Sequence, residues 1–208
     1  MPDELPRNGR RRAPETRRGE LLDAAGALFA ERGYDGTAVS DIVSRAGVAQ
    51  GTFYLYFPTK AHCCAALAEQ VAEELLALMQ RVLDDAPPDG SGIAASIDAL
   101  GAYYEDHHAL LAVLHRHAAP NELKQVHLQA RRTATVPLAA AIERACDTGH
   151  AAVPDPRLAA WFIAAAVEEN LHTAVAFGEP APLPEVLESS KGLIARLLGL
   201  RVAQGQPG

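Results

Sequence analysis

A chain of 208 residues with 49% hydrophobic side chains can bury a sizeable core, and 5% aromatics with abundant alanine favour closely packed helices over sheets. The formal charge of −7 argues against a general polyanion binder, but it is uneven, about +1 over residues 1–60 and −8 beyond them. No charge-free apolar run reaches the roughly 18 residues of a membrane span, and the Arg-rich start lacks the apolar stretch of a secretory signal. Cys63, Cys64 and Cys146 fit neither a disulfide framework nor a zinc finger. The expectation is an all-α cytoplasmic protein with no membrane partner.

Leu21, Leu22, Ala25, Leu28 and Phe29 recur at helical spacing and predict a helix over residues 16–31. Gly33 sits where a left-handed cap is needed, and Tyr34 can fold back over the last turn. Thr37 is placed to cap a second helix whose inner face is Val39, Ile42, Val43 and Ala46. Gly47 ends that helix, Val48 plugs the corner, and a short third helix follows over residues 50–57. Pro58 stops it and Thr59 can cap the next. Two short helices around a glycine turn, braced by a longer first one, make a helix-turn-helix plan. With Phe53 and Phe57 turned to the core, Gln50, Thr52, Tyr54, Leu55 and Tyr56 are left facing outward without an acidic neighbour. That composition suits phosphates and base edges.

The stretches at residues 33–42 and 46–60, from Gly33-Tyr34-Asp35-Gly36-Thr37 to Tyr54-Leu55-Tyr56-Phe57-Pro58-Thr59-Lys60, resemble the DNA-binding signature of the TetR family of repressors over about residues 17–65. The resemblance implies that Gln50, Thr52 and Tyr54 lie at the groove while Thr37, Tyr56 and Lys60 reach phosphates of an operator, with Gly51 and Leu55 also in the DNA-binding set. It also implies a homodimer paired through the last two helices and a small-molecule effector held in the C-terminal body. Ala38 and Ala49 depart from the family pattern where hydroxyl side chains are common, and His62 stands near its usual glutamate. The organisation implied is a basic flexible tail at 1–14, a helix-turn-helix domain at 15–60, and a ligand-binding and dimerisation domain at 61–202. The tail either grips the DNA backbone or minor groove or stays solvated.

Residues 60–83 contain neither Gly nor Pro and predict a long helix with Cys64, Leu67, Val71, Leu75, Leu78 and Val82 along one face. Beyond the linker at 84–92, helices are predicted over 93–106, from there to about 118, over 121–148 with a kink at Pro137, over 156–177, and over 185–200. The total is about nine. Residues 158–167 and 193–200 are apolar nearly all round, so dimer pairing or burial in the monomer must cover them.

Eight histidines invite a metal reading, but no histidine pair at i, i+4 and no Cys/His finger appears, so no metal and no cofactor is expected. No nucleophile elbow, phosphate loop or dinucleotide glycine run is present, and no enzyme is expected. Tyr103, Tyr104, His107, His115, Phe162, Glu169 and Asn170 are the candidate polar and aromatic lining of a pocket between body helices.

Overall fold

The computed structural model describes residues 14–200, which form nine helices and no strand. The Arg-rich tail lies outside the described residues. In chain order the helices are α1 (Pro14–Arg32), α2 (Val39–Ala46), α3 (Gln50–Tyr56), α4 (Lys60–Asp85), α5 (Ser91–Asp106), α6 (His108–His117), α7 (Pro120–Asp147), α8 (Pro156–Phe177) and α9 (Leu183–Leu198). No helix among the described residues is long and apolar enough to cross a membrane.

The head is α1–α3 with the first turns of α4. Leu21, Ala25, Ile42, Phe53, Cys63 and Cys64 are completely enclosed there. Gly33 takes the left-handed conformation expected of it, its N–H donating to the Phe29 carbonyl, and the Tyr34 ring folds to 5.8 Å from Phe29. Gly47, also left-handed, ends α2 and lets the Val48 N–H return to the Val43 carbonyl at 3.0 Å. Arg45 on α2 grips Glu31 on α1 through two bonds of 2.8 and 3.0 Å. Thr59 caps α4 by accepting the His62 N–H.

Two local expectations change. Ala38, not Thr37, is the N-cap of α2, and its N–H donates to the Asp41 carboxylate at 2.9 Å. The stripe along α4 follows Cys64, Leu67 and Val71 as expected but then passes to Met79 and Leu83, leaving Leu78 and Val82 only half-buried. The cause is geometric: α4 packs on α1 and α6 near its start and on α5 and α7 along its length, so its buried face turns as its neighbours change. Pro137 lies inside α7, which is one helix from Pro120 to Asp147.

In the body, α8 packs against α7, α6 and α9, and α9 closes onto α5. The Gly101 backbone approaches Leu187 so closely that a Cβ there would lie 2.5 Å from a leucine methyl, which fixes how near α5 and α9 can sit. One continuous buried cluster extends from Leu21 in α1 to Leu198 in α9.

Candidate nucleic-acid interface and interior cavity

The third helix is held by its two phenylalanines. Phe53 is completely buried, Phe57 nearly so, and their rings meet at 5.4 Å with Arg18 of α1 5.7 Å over Phe57. A helix anchored on that side must present the other to solvent. Gln50 and Gly51 are exposed, Tyr54 is 53% and Leu55 81% exposed, and Thr52 and Tyr56 are half-buried. Nothing acidic stands in α3, and its cap residue Ala49 offers no side-chain hydrogen bond.

Two members of the expected DNA-facing set are placed differently. Thr37 is 1% exposed, its hydroxyl donating to the carbonyls of Gly33 and Leu28 at 2.8 and 3.3 Å, so it braces the turn from inside. The Lys60 ammonium donates to the carbonyls of Tyr34 and Thr37 at 2.6 and 2.7 Å and lies 3.9 Å over the Tyr34 ring. In the chain alone its charge is directed at the α1–α2 turn. The other face of this arrangement belongs to the body: His117, at the end of α6, stacks on Tyr34 at 4.4 Å with the rings nearly parallel. The backbone N–H of Ala119 reinforces the junction by donating to the Ala61 carbonyl.

Inside the body, α4, α5, α6, α7 and α8 surround a cavity of about 130 Å³. Its wall is mostly aliphatic, with Leu75, Leu100, Leu111, Leu138, Ile163 and Leu171 among the contributors. Of the expected pocket residues, Tyr104 and His115 line it. The others are corrected. Tyr103 points outward and donates its hydroxyl to Glu74 at 2.8 Å, and His107 is exposed, stacked on Tyr103. Phe162 is 61% exposed on the outer face of α8, and Glu169 and Asn170 do not reach the cavity wall. The reason is rotation. Tyr103 and Tyr104 are adjacent and point about 100° apart on a helix, so they cannot share one lining.

The polar end of the cavity comes from residues that composition alone did not single out: His127 and Arg131 on α7 and Glu168 and His172 on α8, each pair spaced i, i+4. That spacing puts an imidazole and a charge on one inward face of an otherwise apolar helix, and it is the sequence signal that could have found them. Arg131 Nε donates to Glu168 Oε2 at 3.0 Å, and its guanidinium also covers Trp161 at 5.8 Å. Glu168 Oε1 is buried with no hydrogen-bond partner, and burial holds this carboxyl above its ordinary range despite the pull of Arg131. His172 is half-buried, and desolvation together with the neighbouring imidazoles pushes it down to about 3. Burial likewise lowers His115 and His127. The three rings lie 4.5 to 6.1 Å apart, centre to centre. In the head, burial pushes the thiols of Cys63 and Cys64 up to about 12, so neither is a poised nucleophile.

Residues 21–67 match the model for bacterial regulatory proteins of the tetR family. An uncharacterized HTH-type transcriptional regulator YvdT of Bacillus subtilis (strain 168) is 46% identical over 57 residues, which is 27% of this chain and 29% of that one. The HTH-type transcriptional repressor KstR2 of Mycobacterium tuberculosis is 33% identical over 98 residues, 47% of this chain and 49% of the repressor. The chain thus spans half or less of the length of these curated relatives. The transcriptional regulator FadR of Bacillus subtilis, solved in complex with stearoyl-CoA, superposes with a TM-score of 0.66 at 24% identity over 86% of this chain and 98% of FadR. Residues 21–67 therefore resemble the N-terminal segment of bacterial regulatory proteins of the tetR family, and the helical chain shares the fold of solved transcriptional regulators.

Proposed function

We propose that this chain is a ligand-responsive transcriptional repressor that binds a palindromic DNA operator as a homodimer and lets it go when a small molecule enters the body cavity. The observation that carries the reading is the presentation of α3. Gln50, Tyr54 and Leu55 stand out from a helix with no acidic side chain, inside the segment that matches the tetR model. Gln50 can pair bidentately with adenine, worth about 1–3 kcal/mol of discrimination.

Dimerisation is supported by apolar surface left exposed among the described residues. Leu158 and Phe162 on α8, and Leu193 and Leu197 on α9, are each spaced i, i+4 and each more than half exposed. A protomer seldom leaves such side chains side by side in water. Pairing α8 and α9 with a second copy covers them and sets two recognition helices roughly 34–36 Å apart, one turn of duplex.

Control by a ligand is supported by the place of α6. His115 faces the cavity and His117, two residues on and about 200° round the helix, stacks on Tyr34 in the head. A molecule that pushes α6 outward moves the stack on which the α1–α2 turn rests, adding to any tilt of α4. Such a ligand shifts the equilibrium only in proportion to its preference for the released geometry. The cavity, at about 130 Å³, is close in volume to one that holds a benzene-sized guest. A compact, mainly apolar effector with one polar end fits it. A chain as long as the stearoyl group bound by FadR would require these helices to part.

Selection of bound duplexes from a random pool tests the core of the proposal. The expected result is enrichment of one palindromic site, bound roughly ten- to a hundred-fold more weakly by Gln50→Ala and Tyr54→Ala at matched salt. No enriched site, or variants that bind as well as the parent, would leave a helical small-molecule-binding protein without operator recognition.

A further inference from the structure

The interior histidines pack against one another but leave hydrogen-bonding capacity unused. A buried imidazole ordinarily satisfies at least one ring nitrogen with a neighbour, yet Nδ1 of His115 and Nδ1 of His172 are both buried without a hydrogen-bond partner, as is Oε1 of Glu168. Three orphaned polar atoms at one end of an apolar cavity call for an occupant that accepts lone pairs. One ring nitrogen from each of His115, His127 and His172 comes within 4.8 Å of the other two. The three side chains come from three different helices, α6, α7 and α8, so this convergence belongs to the tertiary structure and not to a local turn.

We propose that His115, His127 and His172 form a binding site for a divalent transition-metal ion of the zinc class at the polar end of the body cavity. Zinc–nitrogen bonds of about 2.0–2.1 Å in tetrahedral geometry place ligand nitrogens roughly 3.4 Å apart. To reach that spacing the three nitrogens close in from their present separation of up to 4.8 Å, and the rings, now 16–33° from parallel, tilt so that their in-plane lone pairs converge. Imidazole nitrogen suits zinc, nickel, copper and iron, whereas calcium and magnesium require oxygen ligands, so the donor set selects against the common hard cations. Glu168 Oε1, 3.9 Å from His127 Nδ1, supplies negative charge beside the ion and an acceptor for a ring N–H or a bound water.

Three protein ligands leave the fourth position of a tetrahedral ion free, and the rest of the cavity is aliphatic. The site would therefore hold the lone-pair or anionic end of a compact apolar molecule and shelter its remainder among leucines. This consequence rests on the effector reading given above, whereas the metal site itself does not.

The test uses the full chain stripped of metal and titrated with Co²⁺, whose visible absorption reports tetrahedral nitrogen coordination. The expected result is one equivalent per chain, displaced by Zn²⁺, with a rise in melting temperature. His115→Ala and His127→Ala should each weaken binding at least 100-fold and abolish the visible bands while keeping the parental far-ultraviolet circular dichroism. His172 lies against both of the other rings, so the other two carry the test. His62→Ala, which removes an imidazole 3.5 Å from Glu122 outside the cavity, should bind as the parent does. Absence of Co²⁺ binding overturns the proposal, and so does equal binding by the parent and both cavity variants. Neither result bears on operator selection, which is scored without added metal, so failure here and failure of the repressor reading are separable.

Discussion

Lys60 shows how a side chain can be correctly picked out and differently employed. A basic residue at the start of the helix that follows the recognition helix is expected to neutralise a phosphate, and its removal would then lower the salt dependence of DNA binding by about one charge. In the structure its ammonium is held by two carbonyl oxygens and the face of Tyr34. Charged hydrogen bonds and a cation–π contact of this kind are worth on the order of 2 kcal/mol together once solvent is allowed for. Lys60→Ala should therefore destabilise the free protein by about 2 kcal/mol in denaturant unfolding with no DNA present. The slope of log affinity against log salt should stay at the parental value. Parental stability with a reduced slope would restore the phosphate role. Thr37 makes the same point in a neutral form: its hydroxyl is used up inside the turn it was expected to leave.

At the scale of elements, α3 is a seven-residue helix with no side-chain cap, and helices this short draw little stability from their own hydrogen bonds. Its N-cap residue, Ala49, already has the extended backbone that a capping residue needs, with φ −72° and ψ 149°. Ala49→Ser should thus raise stability by about 1 kcal/mol, seen as a higher melting temperature, by accepting one of the orphan N–H groups of the first turn. An unchanged or lower melting temperature would mean that those groups are already satisfied by water at no cost. The missing cap was legible in the sequence because capping depends on one residue type at one position. The helix order was legible for a similar reason, since glycine and proline punctuate the chain at 33, 47, 58, 120, 156 and 178. The cavity lining was not. Tyr103 and Tyr104 look equivalent in sequence, and only the contacts of α5 decide which one turns inward. The partners of His115 lie on α7 and α8, brought to it by packing that no local spacing specifies. The later half of α4 eluded the apolar pattern because Leu75, Leu76, Leu78 and Met79 leave several faces apolar, and the neighbouring helices choose among them.

At the scale of the molecule, the two ends of the proposed switch make different demands. A single α3 offers few base contacts, so useful operator affinity needs two heads delivered together. The second head then binds at the high effective concentration set by its tether to the first. In the proposed dimer the tether is the face formed by α8 and α9. Phe162 and Leu197 are exposed in the protomer, so a charge placed there meets only water unless a second copy covers it. Phe162→Lys combined with Leu197→Lys should leave the melting transition of the protomer and the circular dichroism of the chain as they are. The sedimenting species should shift from dimer to monomer, because two like charges per protomer would be buried against their own symmetry mates. Operator affinity should then fall by roughly a hundred-fold or more, the avidity lost when two heads no longer arrive as one. The isolated head would still make its half-site contacts through Gln50 and Tyr54, so weak binding to single half-sites should survive at low salt. A double variant that still sediments as a dimer would move the two-fold axis to another surface. A monomer that kept full operator affinity would show that one head suffices and would remove the need for symmetry in the site.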